Sequence, residues 1–299
     1  MIFEVPRIGG GLFVLSMAEF YNYNGKLFQQ GDNFISPDNR GFRYGDGLFE
    51  TMVVMDGKIR LTTLHFERLF AGLQILKFEV PKLFTQSFLA EEVLGLCEKN
   101  KLANARVRLA VLRGQGGLYD AINMQPNYVI QVWPLQEHVF SLNENGLVID
   151  VYPDAKKQLD IFANIKSANY LPYVMAALYA KENKLNDCLI LNSNGNIADA
   201  SIANVFIFKS GNLCTPPLSE GCVAGVMRRF LIENAAVFGY VIKEKSITAE
   251  DLEAAEEVFL TNTTYGIRWV KQFRQKKYGN AAAQFIYKRL MDAVNNLTG

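Results

Sequence analysis

The chain has 299 residues, 49% of them hydrophobic, enough to bury a sizeable core and to build two domains of ordinary size. Its 31 Lys and Arg against 30 Asp and Glu leave a net charge of +1, and no basic block interleaved with aromatics is present, so the electrostatic footprint of a nucleic-acid binder is missing. Four scattered cysteines (Cys97, Cys188, Cys214 and Cys222) and only two histidines argue against a metal site such as zinc and for free thiols in a reducing cytoplasm; no run approaches the ~18 apolar residues of a membrane span.

Residues 1–16 read as an N-terminal extension. The apolar stretch Gly9–Met17 is short, holds three glycines and follows Glu4 and Arg7 rather than the basic segment of a signal peptide; Met17 is a candidate natural start. From Phe20 the text is strand-like, with Asn24-Gly25 and then Asp56-Gly57 as hairpin turns between apolar runs. Thr62 or Thr63 is placed to cap a helix carrying Leu69, Leu73 and Leu76. A second helix is expected over 84–100, with Phe88, Val93, Leu94 and Cys97 on one face. Strands over 105–112 and 128–133 follow, joined by the glycine-rich loop from Arg113 to Asp120. That loop links two strands, so it is not the strand-to-helix turn of a dinucleotide fingerprint. It reads as a flexible loop at a site mouth or as plain surface.

The aperiodic, polar stretch 134–145 is the best boundary, giving a smaller α/β domain over 17–136 and a larger domain over 137–299. The second part reads as a strand 147–152, a loop with Lys166, a helix 171–183, strands at 188–192 and 204–208, and a helix 226–238. A strand 242–246, a short acidic helix 249–255, a strand 258–260 and a final helix 280–296 follow.

Two stretches carry chemistry, Ile165–Leu171 and Asn196–Phe206. A lysine opening a helix and the carboxylate of Asp199 after the next hairpin can sit at opposite ends of a flat aromatic cofactor, one at its aldehyde carbon and the other at its ring nitrogen. Pyridoxal phosphate needs that geometry. The same residues also read as a solvated charge and as turn chemistry. A cofactor phosphate wants backbone N–H groups at a helix start, a hydroxyl and a bidentate cation; Gly225-Val226-Met227, Thr263 and Arg68 supply these types.

Taken in order, Tyr44–Glu50, His65–Leu69, Lys166–Tyr170, Asp199–Asn204, Gly225–Arg228 and Thr261–Thr263 resemble the class IV aminotransferases, the fold-type IV pyridoxal-phosphate enzymes, from about Tyr21 to the C-terminus. The resemblance implies a mixed α+β, α/β fold of two domains, the larger with a β-barrel-like core. It implies pyridoxal 5′-phosphate on a Schiff-base Lys166, a phosphate cup of Arg68, Val226, Met227 and Thr263, Tyr170 at the cofactor, and Asp199 facing the ring nitrogen. Tyr44, Glu50 and Arg113 are the candidates for substrate contact. A homodimer is also implied, its sites closed by partner loops. One departure is Asp199 itself, where the family usually has glutamate; the charge is kept but its reach is one methylene shorter.

Arg113–Gly117, Gly45–Gly47 and Gly225–Arg228 look most like the aminodeoxychorismate lyase branch, whereas Asn169-Tyr170 and Phe49-Glu50 are shared with branched-chain aminotransferases. The D-amino acid branch has an Arg-x-His trap that Gly117–Asp120 lacks. Transfer of an amino group between an amino acid and a 2-oxo acid, the commoner chemistry of the family, is the expected reaction. Release of pyruvate and 4-aminobenzoate by a lyase is the alternative, and a non-catalytic cofactor-binding role stands third.

Overall fold

The computed structural model describes residues 19–33, 35–136 and 138–296, so the expected extension over 1–16 lies outside the described residues. Asn24, Gly25, Asp56 and Gly57 take φ of 51°, 80°, 49° and 72°, the left-handed backbone that a tight hairpin needs. They join β1 (Phe20–Tyr23) to β2 (Lys26–Gln29) and β3 (Gly47–Met55) to β4 (Lys58–Ile59). Between the hairpins lies α1 (Arg40–Tyr44), a short helix that sequence patterning missed; the Asn39 carboxamide caps it by accepting from Phe42 N. β5 (Ala105–Arg113) and β6 (Pro126–Pro134) complete an antiparallel sheet in the order β2-β1-β6-β5-β3-β4.

One face of this sheet is covered by α2 (Thr62–Ile75) and α3 (Gln86–Lys99). Leu69 and Leu73 of α2 and Leu89, Val93 and Leu96 of α3 pack there with Met52, Val107, Leu109 and Ile130. Strand alternation then sends Arg106 and Arg108 to the opposite face. No threonine caps α2: its N-cap is Leu61, at φ 53°, and the Thr62 hydroxyl donates instead to Ile59 O. The glycine-rich loop is pinned rather than loose. The buried Arg40 guanidinium donates to the carbonyls of Gly116, Leu118 and Tyr119, and at Gly117, φ 73°, a Cβ would lie 2.1 Å from Asp120 O.

The second sheet is built from β7 (Leu147–Val151), β8 (Asp187–Leu191), β9 (Ile197–Ala200), β10 (Asn204–Lys209), β11 (Asn212–Thr215), β12 (Ile242–Glu244), β13 (Glu257–Asn262), β14 (Gly266–Phe273) and β15 (Lys276–Lys277). Its order is β12-β11-β10-β13-β14-β7-β8-β9, with β15 on β14. β9 forms one edge yet runs through a three-residue turn into β10, near the other edge, so the sheet curls back on itself. Its central strands are apolar on both sides. Val205, Ile207, Val258 and Leu260 face one core, while Phe206 and Phe259 face a second, as expected of strands covered on both faces.

Four helices follow in chain order, α4 (Leu171–Glu182), α5 (Val226–Glu233), α6 (Ala249–Glu253) and α7 (Ala281–Asn296). α5 stops five residues before the expected end, because the Asn234 side chain bonds back to Phe230 O and the chain leaves through turns ending at Gly239, φ 74°. β14 was not foreseen. A bulge between Val270 and Gln272 breaks the two-residue period on which strand recognition depends. Together these elements form a mixed α+β fold with a strongly curled second sheet.

Candidate active site

A cavity of about 360 Å³ opens where the two sheets meet. The first sheet and its helices contribute Phe49, Thr51, Arg68, Arg106 and Arg108; the second part contributes Lys166, Tyr170, Tyr173, Asp199, Gly225, Val226, Met227 and Thr263. Of the residues expected at a cofactor, all seven (Arg68, Lys166, Tyr170, Asp199, Val226, Met227 and Thr263) line this one space.

Lys166 lies on the irregular segment ahead of α4, and its backbone is stitched to β3. Phe49 N donates to Lys166 O (2.9 Å) and Ala168 N to Gly47 O (2.8 Å). On its other side β3 closes up on β5 because of Gly47, where a Cβ would sit 2.4 Å from Val111 O. The Lys166 ammonium donates to the Tyr170 hydroxyl at 3.1 Å and lies 4.6 Å from the Phe49 ring centre. Burial, and next the Arg68 guanidinium, push its pKa down to about 7. At neutral pH a large fraction is therefore free amine, able to act as nucleophile and as base. The amine is the reactive form, so labelling of Lys166 in the apoprotein by an amine-specific reagent should rise with pH through a midpoint near 7. Peptide mapping that puts the midpoint near the ordinary lysine value of about 10.4 would contradict this environment.

At the far end, the buried Asp199 carboxylate is held from several sides. Its Oδ2 accepts from the Tyr173 hydroxyl (2.8 Å), Val223 N (2.9 Å) and Lys157 Nζ (3.1 Å), and its Oδ1 accepts from the Asn204 carboxamide (2.9 Å). The Tyr173 ring stacks on that of Tyr170, with centres 4.2 Å apart.

Helix α5 starts in the cavity wall. The first turn of a helix leaves its N–H groups without intrahelical acceptors, and Gly225 at the N-cap provides no side-chain cap. A Cβ on Gly225 would fall 1.7 Å from Asn204 Oδ1, so only glycine lets the chain close up at this point. Arg68 stands alongside. Its Nε and Nη2 donate to Glu50 (2.8 and 2.5 Å) and its Nη1 to Ala224 O (3.0 Å), which leaves two of the five guanidinium N–H groups for an anion. The Thr263 hydroxyl donates to Thr51 O at 2.9 Å, tying the two sheets together and presenting its oxygen at the same wall. This helix start with a glycine cradle and a forked cation suits a phosphate. With an amine at one end and a fixed carboxylate at the other, the donor set fits pyridoxal 5′-phosphate.

The three substrate candidates lie elsewhere. On β3, Phe49 and Thr51 point into the cavity, so alternation turns Glu50 to the other face, where it is fully buried against Arg68 and His65 (Nδ1 to Oε2, 2.6 Å). On β5, alternation likewise takes Arg113 away; it bonds to Asp46 (3.0 Å) and Leu76 O (2.6 Å) and lies over the Phe78 ring. Tyr44 packs near Tyr119, outside the cavity lining.

Arg106 and Arg108 stand in the cavity instead, and sequence reasoning overlooked them. Charged residues alternating with Val107 and Leu109 were the available signal, since the register pairs Thr51 with Arg108 and paired residues share a face. Neither arginine has a carboxylate partner among the described residues. Arg108 lies over the Phe49 ring at 3.9 Å and Arg106 over Trp133 at 5.7 Å. Partial desolvation disfavours the charged form of half-buried Arg108 and, although its surface is exposed, of Arg106, and Arg106 adds to the effect on Arg108.

A family model described as amino-transferase class IV matches residues 47–273. A putative branched-chain-amino-acid aminotransferase of Methanocaldococcus jannaschii is 28% identical over 92% of this chain and 94% of its own. An aminodeoxychorismate lyase of Bacillus subtilis is 31% identical over 89% of this chain and 92% of its own. Among solved structures, the branched-chain aminotransferase of Thermoproteus uzoniensis with norvaline superposes with a TM-score of 0.81 at 23% identity, covering 92% of this chain and 95% of that one. The fold is therefore shared, curled sheet included. Since the matched stretch runs from β3 through β14 and takes in every residue named in the cavity lining, the chain belongs to the class IV aminotransferase family, whose cofactor is pyridoxal 5′-phosphate.

Proposed function

We propose that the protein is an amino-acid aminotransferase that moves an amino group between an amino acid and a 2-oxo acid, with Lys166 as its catalytic residue. The observation that carries this reading is the Lys166 amine, with its pKa near 7, in a cavity that also offers a phosphate cradle and a fixed carboxylate. When bound, pyridoxal phosphate supplies an electron-accepting ring next to the substrate carbon. Lys166 would hold the cofactor covalently, and its free amine would take and return the substrate Cα proton. Tyr170 orients the lysine through their hydrogen bond, Asp199 would keep a negative charge at the ring nitrogen, and Arg68, the α5 N–H groups and the Thr263 hydroxyl, on turning from Thr51 O, would bind the phosphate.

Arg106 and Arg108 suit substrate carboxylates: two guanidiniums that share a strand face repel each other, and an anion between them relieves that cost. Residues 17–136 and 137–299 then act as two domains with the site at their junction. A homodimer fits the half-exposed stripe Leu171, Val174, Met175 and Leu178 on α4, which is apolar at helical spacing; light scattering should return twice the chain mass. A cytoplasmic setting accords with four buried, unpaired cysteines, and no described helix is long and apolar enough to cross a membrane.

The test is to add single amino acids to the holoenzyme and watch the cofactor absorbance move to the pyridoxamine form. Acidic donors should convert it best. Arg108→Ala should raise KM for them about 10- to 100-fold, the worth of one charge-assisted hydrogen bond. The same pair of cations favours a second reading. Aminodeoxychorismate carries two carboxylates, and the Bacillus subtilis relative is named as its lyase. Pyruvate released from that compound, with no amino acid converting the cofactor, would replace the transaminase reading by the lyase.

A further inference from the structure

A second lysine, Lys157, lies behind the cavity and touches nothing that a ligand would occupy. Its backbone is fixed on both sides: Lys157 N donates to Leu191 O (2.8 Å) and Ser193 N to Lys157 O (3.0 Å). Its side chain is only 12% exposed, reaches Asp199 Oδ2 at 3.1 Å and passes over the Tyr173 ring at 5.3 Å. Lys157 is absent from the cavity lining, whereas Asp199 is part of it. The lysine therefore acts on the site through that carboxylate and through Tyr173, which itself donates to Asp199.

A carboxylate has about four acceptor positions. On Asp199, Tyr173, Val223 and Lys157 crowd Oδ2 and Asn204 takes one position on Oδ1. Three donors share the two positions of Oδ2, so the one position left is on Oδ1. Asp199 is thus oriented by four donors and has room for one more, which is what a pyridinium N–H requires. One of the four carries a full positive charge. An isolated buried aspartate would hold a ring proton strongly, and an ammonium in contact with it offsets much of that field at the ring.

We propose that Lys157 is a positioning residue that sets the electron-accepting strength of the cofactor: it locks Asp199 in place and, as its counter-charge, weakens the hold of that carboxylate on the ring-nitrogen proton. This rests on Asp199 facing the ring nitrogen of bound pyridoxal phosphate. The other titratable groups that face Asp199 are Lys166 across the cavity, Tyr170 and Tyr173 on the α4 side, and Cys222, and replacing Lys157 leaves all four in place. A short aspartate with an ammonium behind it is a weaker proton holder than a carboxylate backed by neutral donors alone.

The experiment loads the full-length protein with cofactor labelled with nitrogen-15 in the ring and follows that resonance against pH by NMR. In Lys157→Gln, which keeps a donor but removes the charge, the resonance should move toward the protonated limit and titrate about one pH unit higher than in the native protein. Lys157→Arg should overlay the native curve. Lys157→Met carries the same expectation if the glutamine variant does not fold. A resonance that stays put in the neutral variants, or that moves equally in Lys157→Arg, overturns the role given to Lys157. Asp199→Asn separates the two levels: if it too leaves the resonance unmoved, the placement of Asp199 at the ring nitrogen is what fails.

Discussion

Lys166→Ala should give a folded protein that still takes up pyridoxal 5′-phosphate but lacks the visible band of a lysine-bound cofactor and turns over at least about 1,000-fold more slowly, within the range expected for loss of a positioned base. Folding is expected to survive because the side chain contributes little that the structure depends on. Its one hydrogen bond is to Tyr170, and its charge is opposed first by burial and then by Arg68, so truncation removes a repulsion. The backbone links from Lys166 and Ala168 to β3 do not involve the side chain. Phosphate binding should persist, since Arg68, the start of α5 and Thr263 are untouched. Lys166→Arg is the informative companion. It restores length and charge but never a free amine, because a guanidinium does not deprotonate, and it should be as inactive as the alanine variant. Near-normal turnover in either variant, measured with the amino donor that converts the native cofactor, would overturn the role of Lys166.

The parts of this molecule that were legible beforehand are those written in a few consecutive residues. Asn24-Gly25 and Asp56-Gly57 announced their hairpins because few other pairs tolerate that backbone, and Gly225 ahead of Val226 and Met227 marked a helix start. What escaped notice depends on residues far apart. Glu50 is polar and sits beside two cavity residues, but its partners are on α2 and bury it on the other side of the strand. Arg113 and Arg108 lie on one strand and differ only in parity, which decides between a structural ion pair and a cavity. The curl that places Asp199 beside Asn204, and the approach of Lys157 from the segment after β7, follow from the closure of the second sheet. No local pattern encodes that closure.

The buried group formed by Glu50, His65 and Arg68 is expected to be the most sensitive structural point in the protein. Burial alone would raise the Glu50 pKa, yet Arg68, followed by His65, brings it from its ordinary 4.5 down to about 2. Burial also lowers the pKa of His65, which leaves the imidazole neutral at neutral pH, so Arg68 is the charge that secures the carboxylate there. The folded-state pKa lies below the unfolded one. Glu50 thus contributes stability in full above about pH 4.5 and loses it as pH falls toward 2, an amount on the order of 3 kcal/mol for such a shift. Glu50→Ala leaves Arg68 a buried cation with only Ala224 O as a partner and should cost about 3–5 kcal/mol, with Glu50→Gln falling between it and the native chain. Denaturant unfolding of the apoprotein at several pH values checks both statements. The gap between native and Glu50→Gln should be constant near neutrality and close between pH 4.5 and 2. A gap that does not close on acidification, or an alanine variant as stable as the native protein, would show that the group does not hold the fold. Because the same Arg68 fork is aimed by Glu50 at the phosphate wall, cofactor affinity should fall along with stability. Cofactor binding by the glutamine variant at neutral pH, where it remains folded, isolates that second effect from the first.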